Sequence, residues 1–154
     1  MLGELTDNQI DQVLNTQSIG RIGCHAKNKT YIVPVTYAYH DGHIYVHSKE
    51  GLKIKIMRDN PDVCFQVDSI ENMTNWRSVI VWGKYQELKS DQDQQHGMKI
   101  LMDRLTPFAI SETVRPPQGQ ESTSADIQKG RLRAVAYRIA INEKTGRFEK
   151  SDVY

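Results

Sequence analysis

The chain has 154 residues, 38% apolar and 25% charged, with 20 basic against 19 acidic side chains. This composition fits one globular domain spanning residues 1–154 and excludes a disordered chain, while the formal charge of +1 offers no overall field for nucleic acid or an anionic membrane surface. Cys24 and Cys64 form neither a disulfide framework nor a Cys-x-x-Cys pair; with no run of 18 apolar residues and no basic, then apolar, leader at the start, a cytoplasmic protein with no membrane or nucleic-acid partner is expected.

Thr6 and Gln9 have capping-box spacing, with Leu5 and Ile10 placed as a hydrophobic staple, so a helix is predicted to about Asn15. Its Ile10, Val13 and Leu14 stripe reads as a lid on a core. Ser18 to His25 is a strand interrupted by Arg21, which either snorkels from a sheet edge or serves an anion. Tyr31 to Tyr39 is a second strand containing Pro34. Proline cannot donate to a ladder, so the sheet is expected to be open there. The backbone of Val33, Val35 and Thr36 would then be available to a flat polar group such as a heterocyclic ring, unless this is an ordinary edge strand. His40-Asp41-Gly42-His43 has the composition of a type I′ hairpin turn. The third strand, His43 to Ser48, alternates Ile44 and Val46 against His43, Tyr45 and His47.

That strand runs into Lys49-Glu50-Gly51 and a helix predicted from Leu52. Ser48, the first backbone N–H groups and Lys53 would then gather at one helix N-terminus, where unpaired N–H groups and the helix dipole favour phosphate. The alternative is a plain strand-to-helix loop with solvated lysines. Asn60-Pro61 ends the helix. Val63, Phe65 and Val67 alternate with Cys64, Gln66 and Asp68 in a fourth strand; Ser69 to Asn75 reads as a polar loop. Trp76 to Leu88 is a long fifth strand in which Gly83 marks a bend or bulge. Five strands in a meander with one inserted helix suit a closed or partly closed antiparallel barrel.

Ser90 and Asp93 cap a further helix whose Met98, Leu101, Met102 and Leu105 pack on the barrel. Residues 107–127, with Pro116-Pro117 and a Ser-Thr-Ser run, read as a long irregular loop. Arg131 to Asn142 is the last long strand, and Lys144-Thr145-Gly146 is expected to turn it into a short terminal strand at Phe148.

Five histidines invite a metal site. His43 and His47 share a strand face, but that spacing covers roughly 13 Å and no cysteine or carboxylate joins them at ligand spacing, so no metal is predicted. Gly-x-Ser-x-Gly, Walker and Gly-x-Gly-x-x-Gly motifs are absent. Chemistry in this chain would have to come from a borrowed cofactor.

The ordered set Gly20-Arg21-Ile22-Gly23, Val33-Pro34-Val35-Thr36-Tyr37, Tyr45-Val46-His47-Ser48, Gly51-x-Lys53, Asn60-Pro61-Asp62-Val63 and Trp76-x-Ser78-Val79-x-Val81-x-Gly83 resembles the pyridoxamine 5′-phosphate oxidase-like FMN-binding split-barrel family. Within it the closer resemblance is to the branch of the nitroimidazole-resistance proteins. The resemblance implies a mainly β, six-stranded split barrel forming a homodimer, with FMN at the subunit interface. It places Lys53 on the phosphate with Ser48 and Arg21 nearby, Val35 and Thr36 as backbone contacts to the ring, and His47 lining the flavin as a pocket donor or proton relay. Trp76 and Ser78 would approach from the second subunit. Tyr31 stands where pyridoxamine phosphate oxidases carry an arginine, which argues against that particular reaction. The implied activity is an FMN-dependent oxidoreductase acting on a small molecule such as a nitroaromatic; the alternative is a flavin- or haem-binding carrier or sensor without turnover.

Overall fold

The computed structural model describes residues 1–108 and 134–151. In chain order it contains β1 (Leu2–Glu4), α1 (Asp7–Thr16), β2 (Ile19–Ala26), β3 (Lys29–His40), β4 (His43–Lys49), α2 (Leu52–Asp59), β5 (Asp62–Asn72), β6 (Asn75–Glu87), α3 (Asp91–Leu105), a 3-10 turn (Thr106–Phe108) and β7 (Ala134–Glu149).

The strands hydrogen-bond in the order β7-β4-β3-β2-β5-β6, and β6 pairs back onto β7 to close a six-stranded antiparallel ring, with β1 added outside β7. The ring is the barrel expected from the sequence, and it is split where β3 meets β4. Only Tyr37 to His40 of β3 pair with β4, whereas Lys29 to Thr36 pair with β2 alone. Pro34 lies in that one-sided stretch, which is where a residue without an N–H disturbs the sheet least.

Local chemistry accounts for the tight connections. Asp41 and Gly42 have φ of 47° and 70°, the left-handed pair a type I′ turn needs. A second such pair, Lys27 and Asn28 at 51° and 63°, joins β2 to β3 and extends both strands beyond the ends predicted for them. The ladder of β6 and β7 slips between Trp82 and Gly83, so the predicted bulge is present. A Cβ at Gly83 would lie 2.3 Å from the Ala140 carbonyl oxygen, which excludes any larger residue without backbone movement.

The barrel interior is filled by the alternating apolar positions of the strands, among them Ile22, Tyr37, Phe65, Val79 and Tyr137, all fully buried. Helix α1 has the predicted capping box and buries Ile10, Val13 and Leu14 in this same core; the Leu14 carbonyl accepts a 2.8 Å hydrogen bond from the buried Tyr37 hydroxyl. Helix α2 adds Ile54, Ile56 and Met57. Helix α3 lies on the outside of β3, β4 and β7, where Leu101 joins Ala38, Tyr45, Leu88 and Ala136 in a second buried cluster. Tyr45 therefore points outward from β4 and is still only 2% exposed.

Two expectations are corrected, and one strand is added to those expected. The terminal turn at Lys144-Thr145-Gly146 does not exist: Ala134 to Glu149 is one strand, because β6 and β1 supply ladder partners along its second half. The Ser69 to Asn75 loop is a tight hairpin, since β5 runs to Asn72 and Asn72 caps the turn by accepting from the Thr74 backbone N–H and the Asn75 side-chain amide. The strand Leu2–Glu4 was not predicted; its partner is the distant end of β7. Most of the loop predicted at 107–127, and the start of the last strand at Arg131, lie outside the described residues.

Candidate functional site

The candidate site starts where β4 runs into α2. Ile44, Val46 and Ser48 face inward, so the Ser48 hydroxyl is buried; it has no hydrogen-bond partner. The only other buried side-chain oxygen or nitrogen without one among the described residues is the Tyr137 hydroxyl, which burial pushes well above the usual phenol range. The two hydroxyls are neighbours on paired strands, close enough for Ser48 to ease the Tyr137 phenol slightly, but they do not meet in full hydrogen-bond geometry. Leaving a buried hydroxyl unpaired costs about 1–3 kcal/mol, so such groups commonly have a partner.

Past Ser48, the N-cap of α2 is Gly51, which makes no side-chain capping bond, and the first turn contains no acidic residue. Its leading N–H groups therefore keep both their hydrogen-bonding capacity and the positive end of the helix dipole. Lys53 is half-buried in that turn, close enough to Cys24 for its charge to ease a thiol otherwise pushed up by burial. His47 projects from the opposite face of β4; it is exposed, yet the protein beside the ring removes enough water to press its pKa below the ordinary histidine value.

The split in the barrel borders this region. Tyr37 pairs with Val46, so Thr36 is the first β3 residue beyond the end of that ladder, on the side of His47. The Tyr37 N–H donates to the Ser18 carbonyl, toward β2, and strand alternation fixes the rest. Val33 and Val35 turn their backbone groups to β2 as well, while Thr36 turns its own to the open side. Of the ring contacts predicted on β3, the backbone of Thr36 is available and that of Val35 is not; the Val35 side chain is in the core.

A second group of predicted residues lies on the outer face of β2, β5 and β6. Arg21 binds Asp68 at 3.2 Å, Gln66 donates to Asp68 at 2.9 Å and to the Ser78 hydroxyl at 3.0 Å. The sequence reading placed Arg21 and Ser78 in the site but missed Gln66 and Asp68, whose outward alternation on the fourth strand was the available signal. Arg21 is also directly across from Pro34, beside the open edge. Trp76 is elsewhere: its indole N–H donates to Glu149 at 3.1 Å, and it pairs with Glu149 at the far end of β7, whereas Ser48 pairs with Val135 at the beginning. One chain therefore places Ser48 and Lys53 at the junction of β4 and α2, with Thr36 and His47 at the open edge beside it and His47 on the opposite face of β4 from Ser48. Separately it joins Arg21 and Ser78 through Asp68 and Gln66, but it does not bring Trp76 to Ser48.

The outer face around the second group is apolar. Ile19, Ile32 and Trp82 are 57%, 70% and 40% exposed, and a shallow groove runs between Gly23, Ile32, Cys64 and Trp82. Among the described residues no three His, Cys, Asp or Glu side chains are arranged to hold a metal ion, and no helix is long and apolar enough to cross a membrane.

A closed six-stranded ring, opened along half of β3 beside an uncapped helix start, defines a split-barrel protein. The chain belongs to the pyridoxamine 5′-phosphate oxidase family, which it matches over residues 6–148. An uncharacterized protein of Rhizobium meliloti (strain 1021) is 31% identical over 139 residues, covering 88% of this chain and 87% of that one. The crystal structure of an FAD-binding protein from Mesorhizobium loti superposes with a TM-score of 0.76 at 29% identity, covering 97% of this chain and 99% of the other. A candidate 5-nitroimidazole antibiotic resistance protein from Bacteroides thetaiotaomicron shares the fold at a TM-score of 0.71 and 17% identity, over 96% of this chain and 87% of its own.

Proposed function

We propose that this protein is an FMN-dependent oxidoreductase that works in the cytoplasm as a homodimer on a small-molecule substrate, with each flavin site completed by the second subunit. The observation that carries this reading is the buried, unpartnered Ser48 hydroxyl next to Lys53 and the uncapped start of α2. A phosphate monoester fits that set, since it accepts from a hydroxyl, from backbone N–H groups and from an ammonium at once. FMN ends in such a group. The bound flavin would supply the redox chemistry, and the chain would supply position and electrostatics.

The division of labour follows from the geometry. Thr36 offers backbone groups at the open edge, where the rim of a planar heterocycle can pair with them. His47 is neutral at pH 7 and can donate or accept one hydrogen bond above that edge. The apolar outer face with Ile19, Ile32 and Trp82 is suited to a second copy of the chain, whose Trp76 and Ser78 would approach from outside. The Mesorhizobium loti relative, described as FAD-binding, supports a flavin at this fold.

The test is direct. The purified protein, as isolated or after addition of FMN, should display flavin absorption bands and quench flavin fluorescence with one FMN per chain. Chromatography of the extracted cofactor separates FMN from FAD. A protein that takes up neither overturns the proposal. Anaerobic reduction by NADH or NADPH, followed by reoxidation with a nitroaromatic, then distinguishes an enzyme from a carrier.

A further inference from the structure

Ser48 pairs with Val135 and Tyr137 with Val46, so the serine and the tyrosine are diagonal neighbours on the inner face of β4 and β7. Tyr137 is fully buried, Ser48 is half-buried, and neither hydroxyl makes a hydrogen bond. Two groups near the phenol are engaged elsewhere. The Tyr85 ring centre lies 5.1 Å from that of Tyr137, but its hydroxyl donates to Glu87 at 2.7 Å; the Cys24 thiol donates to the Tyr31 carbonyl. Burial holds the Tyr137 phenol well above its usual range, so it keeps its hydrogen at physiological pH. Each of the two hydroxyls carries one hydrogen and can also accept one. A pair that meets only itself can place one hydrogen in a bond and leaves the other without an acceptor. A third group rich in lone pairs removes that deficit, and Ser48, at the junction with α2, is the member of the pair placed to meet it.

We infer that Tyr137 is a positioning residue for phosphate binding: its O–H donates to Ser48 Oγ, which directs the Ser48 hydrogen to a phosphate oxygen at the start of α2. This rests on the FMN reading above. A phosphate dianion only accepts, so a serine that binds it has to donate, and the serine's own lone pairs are then left for the neighbouring phenol. The resulting chain runs in one direction, from phenol to serine to phosphate, and each bond in it polarises the next. In the flavin-free protein the two hydroxyls stay just out of bonding geometry, so the chain closes only when the ligand arrives. A flavin without a phosphate leaves the surplus hydrogen where it was, and Tyr137 contributes nothing to its binding.

The test compares the wild type with Tyr137→Phe, Ser48→Ala and the double variant, using fluorescence titration with FMN and with riboflavin, which lacks the phosphate. Tyr137→Phe removes one oxygen and keeps the ring in the core; circular dichroism and the flavin-free thermal midpoint establish folding. It should bind FMN about fivefold more weakly, while riboflavin affinity stays within about twofold of wild type. Ser48→Ala should lose about tenfold or more, and in that background Tyr137→Phe should change FMN affinity by less than about twofold, because the phenol acts only through the serine. If Tyr137→Phe does not fold, a fluorinated tyrosine installed at position 137 carries the test: its fluorine resonance should move with FMN and stay in place with riboflavin. Unchanged FMN affinity in either single variant, an equal loss for riboflavin, or a loss that persists in full in the Ser48→Ala background overturns the role of Tyr137 and leaves the FMN reading standing. So does a fluorine resonance that answers both flavins alike or neither. A wild type that binds no FMN overturns both.

Discussion

Ser48 and Trp76 lie at opposite ends of one strand: Ser48 pairs with Val135 and Trp76 with Glu149, fourteen residues further along β7. At about 3.3 Å per residue this is on the order of 45 Å of strand, far more than the length of one flavin. If both residues serve the same cofactor, they come from different chains. Mixing Lys53→Ala with Trp76→Ala, each impaired alone, should then restore about a quarter of the tight FMN sites, because half of a random mixture is heterodimer and each heterodimer has one intact site. Fluorescence titration before and after mixing measures this. No recovery would place both residues in one subunit's site or remove Trp76 from it.

The unpartnered hydroxyl of Ser48 should separate binding from stability. Ser48→Ala removes a buried group with no hydrogen bond, so the flavin-free protein should be as stable as wild type or up to about 1–3 kcal/mol more stable, as should Tyr137→Phe. Urea unfolding of both variants measures this. FMN affinity of Ser48→Ala should fall in the same preparation. A loss of stability would mean that the hydroxyl already has a partner in the flavin-free protein.

His47 should leave a signature in pH dependence. Its folded-state pKa is depressed by desolvation, so the unfolded chain, titrating near about 6.5, binds the proton more readily. Stability should therefore fall as pH drops through about 6.5, and this contribution stops changing once the pH is below the folded value. His47→Gln should flatten that part of the curve, and NMR titration of the ring should place its pKa below the ordinary value. A value at or above the ordinary one would rule out the dehydrated setting described for it.

Gly83 provides a test of the barrel itself. Because a Cβ there would meet the Ala140 carbonyl at 2.3 Å, Gly83→Ala has to push β6 and β7 apart at the bulge. A loss of about 1–3 kcal/mol is expected, read from the urea midpoint. A neutral effect would mean that the two strands separate more easily than their long ladder implies.

Much of the barrel is legible in local sequence because its determinants are local. Alternation assigns Val79, Val81 and Tyr85 to the interior, capping spacing starts α1 at Thr6, and Asp41-Gly42 selects the left-handed turn. Where a partner decides, local reading fails. Lys144-Thr145-Gly146 has the composition of a turn but continues as strand, since β6 pairs with all three residues and the Leu5 N–H donates to the Gly146 carbonyl from the other side. Val35 and Thr36 look equivalent in sequence, and only the ladder with β2 decides that Thr36 alone offers its backbone to the open edge.

The candidate site divides in the same way. The types and order of Ser48, Gly51 and Lys53 are properties of the sequence by itself, because a hydroxyl, a glycine and a lysine around a helix start favour an anion through short-range geometry. That Ser48 is buried without a partner, that Arg58 binds Glu87 on β6, and that Trp76 is carried to the far end of β7 were decided only by the tertiary structure. Each depends on groups distant in sequence being brought into register, and such register is set by closure of the whole ring rather than by any segment of it.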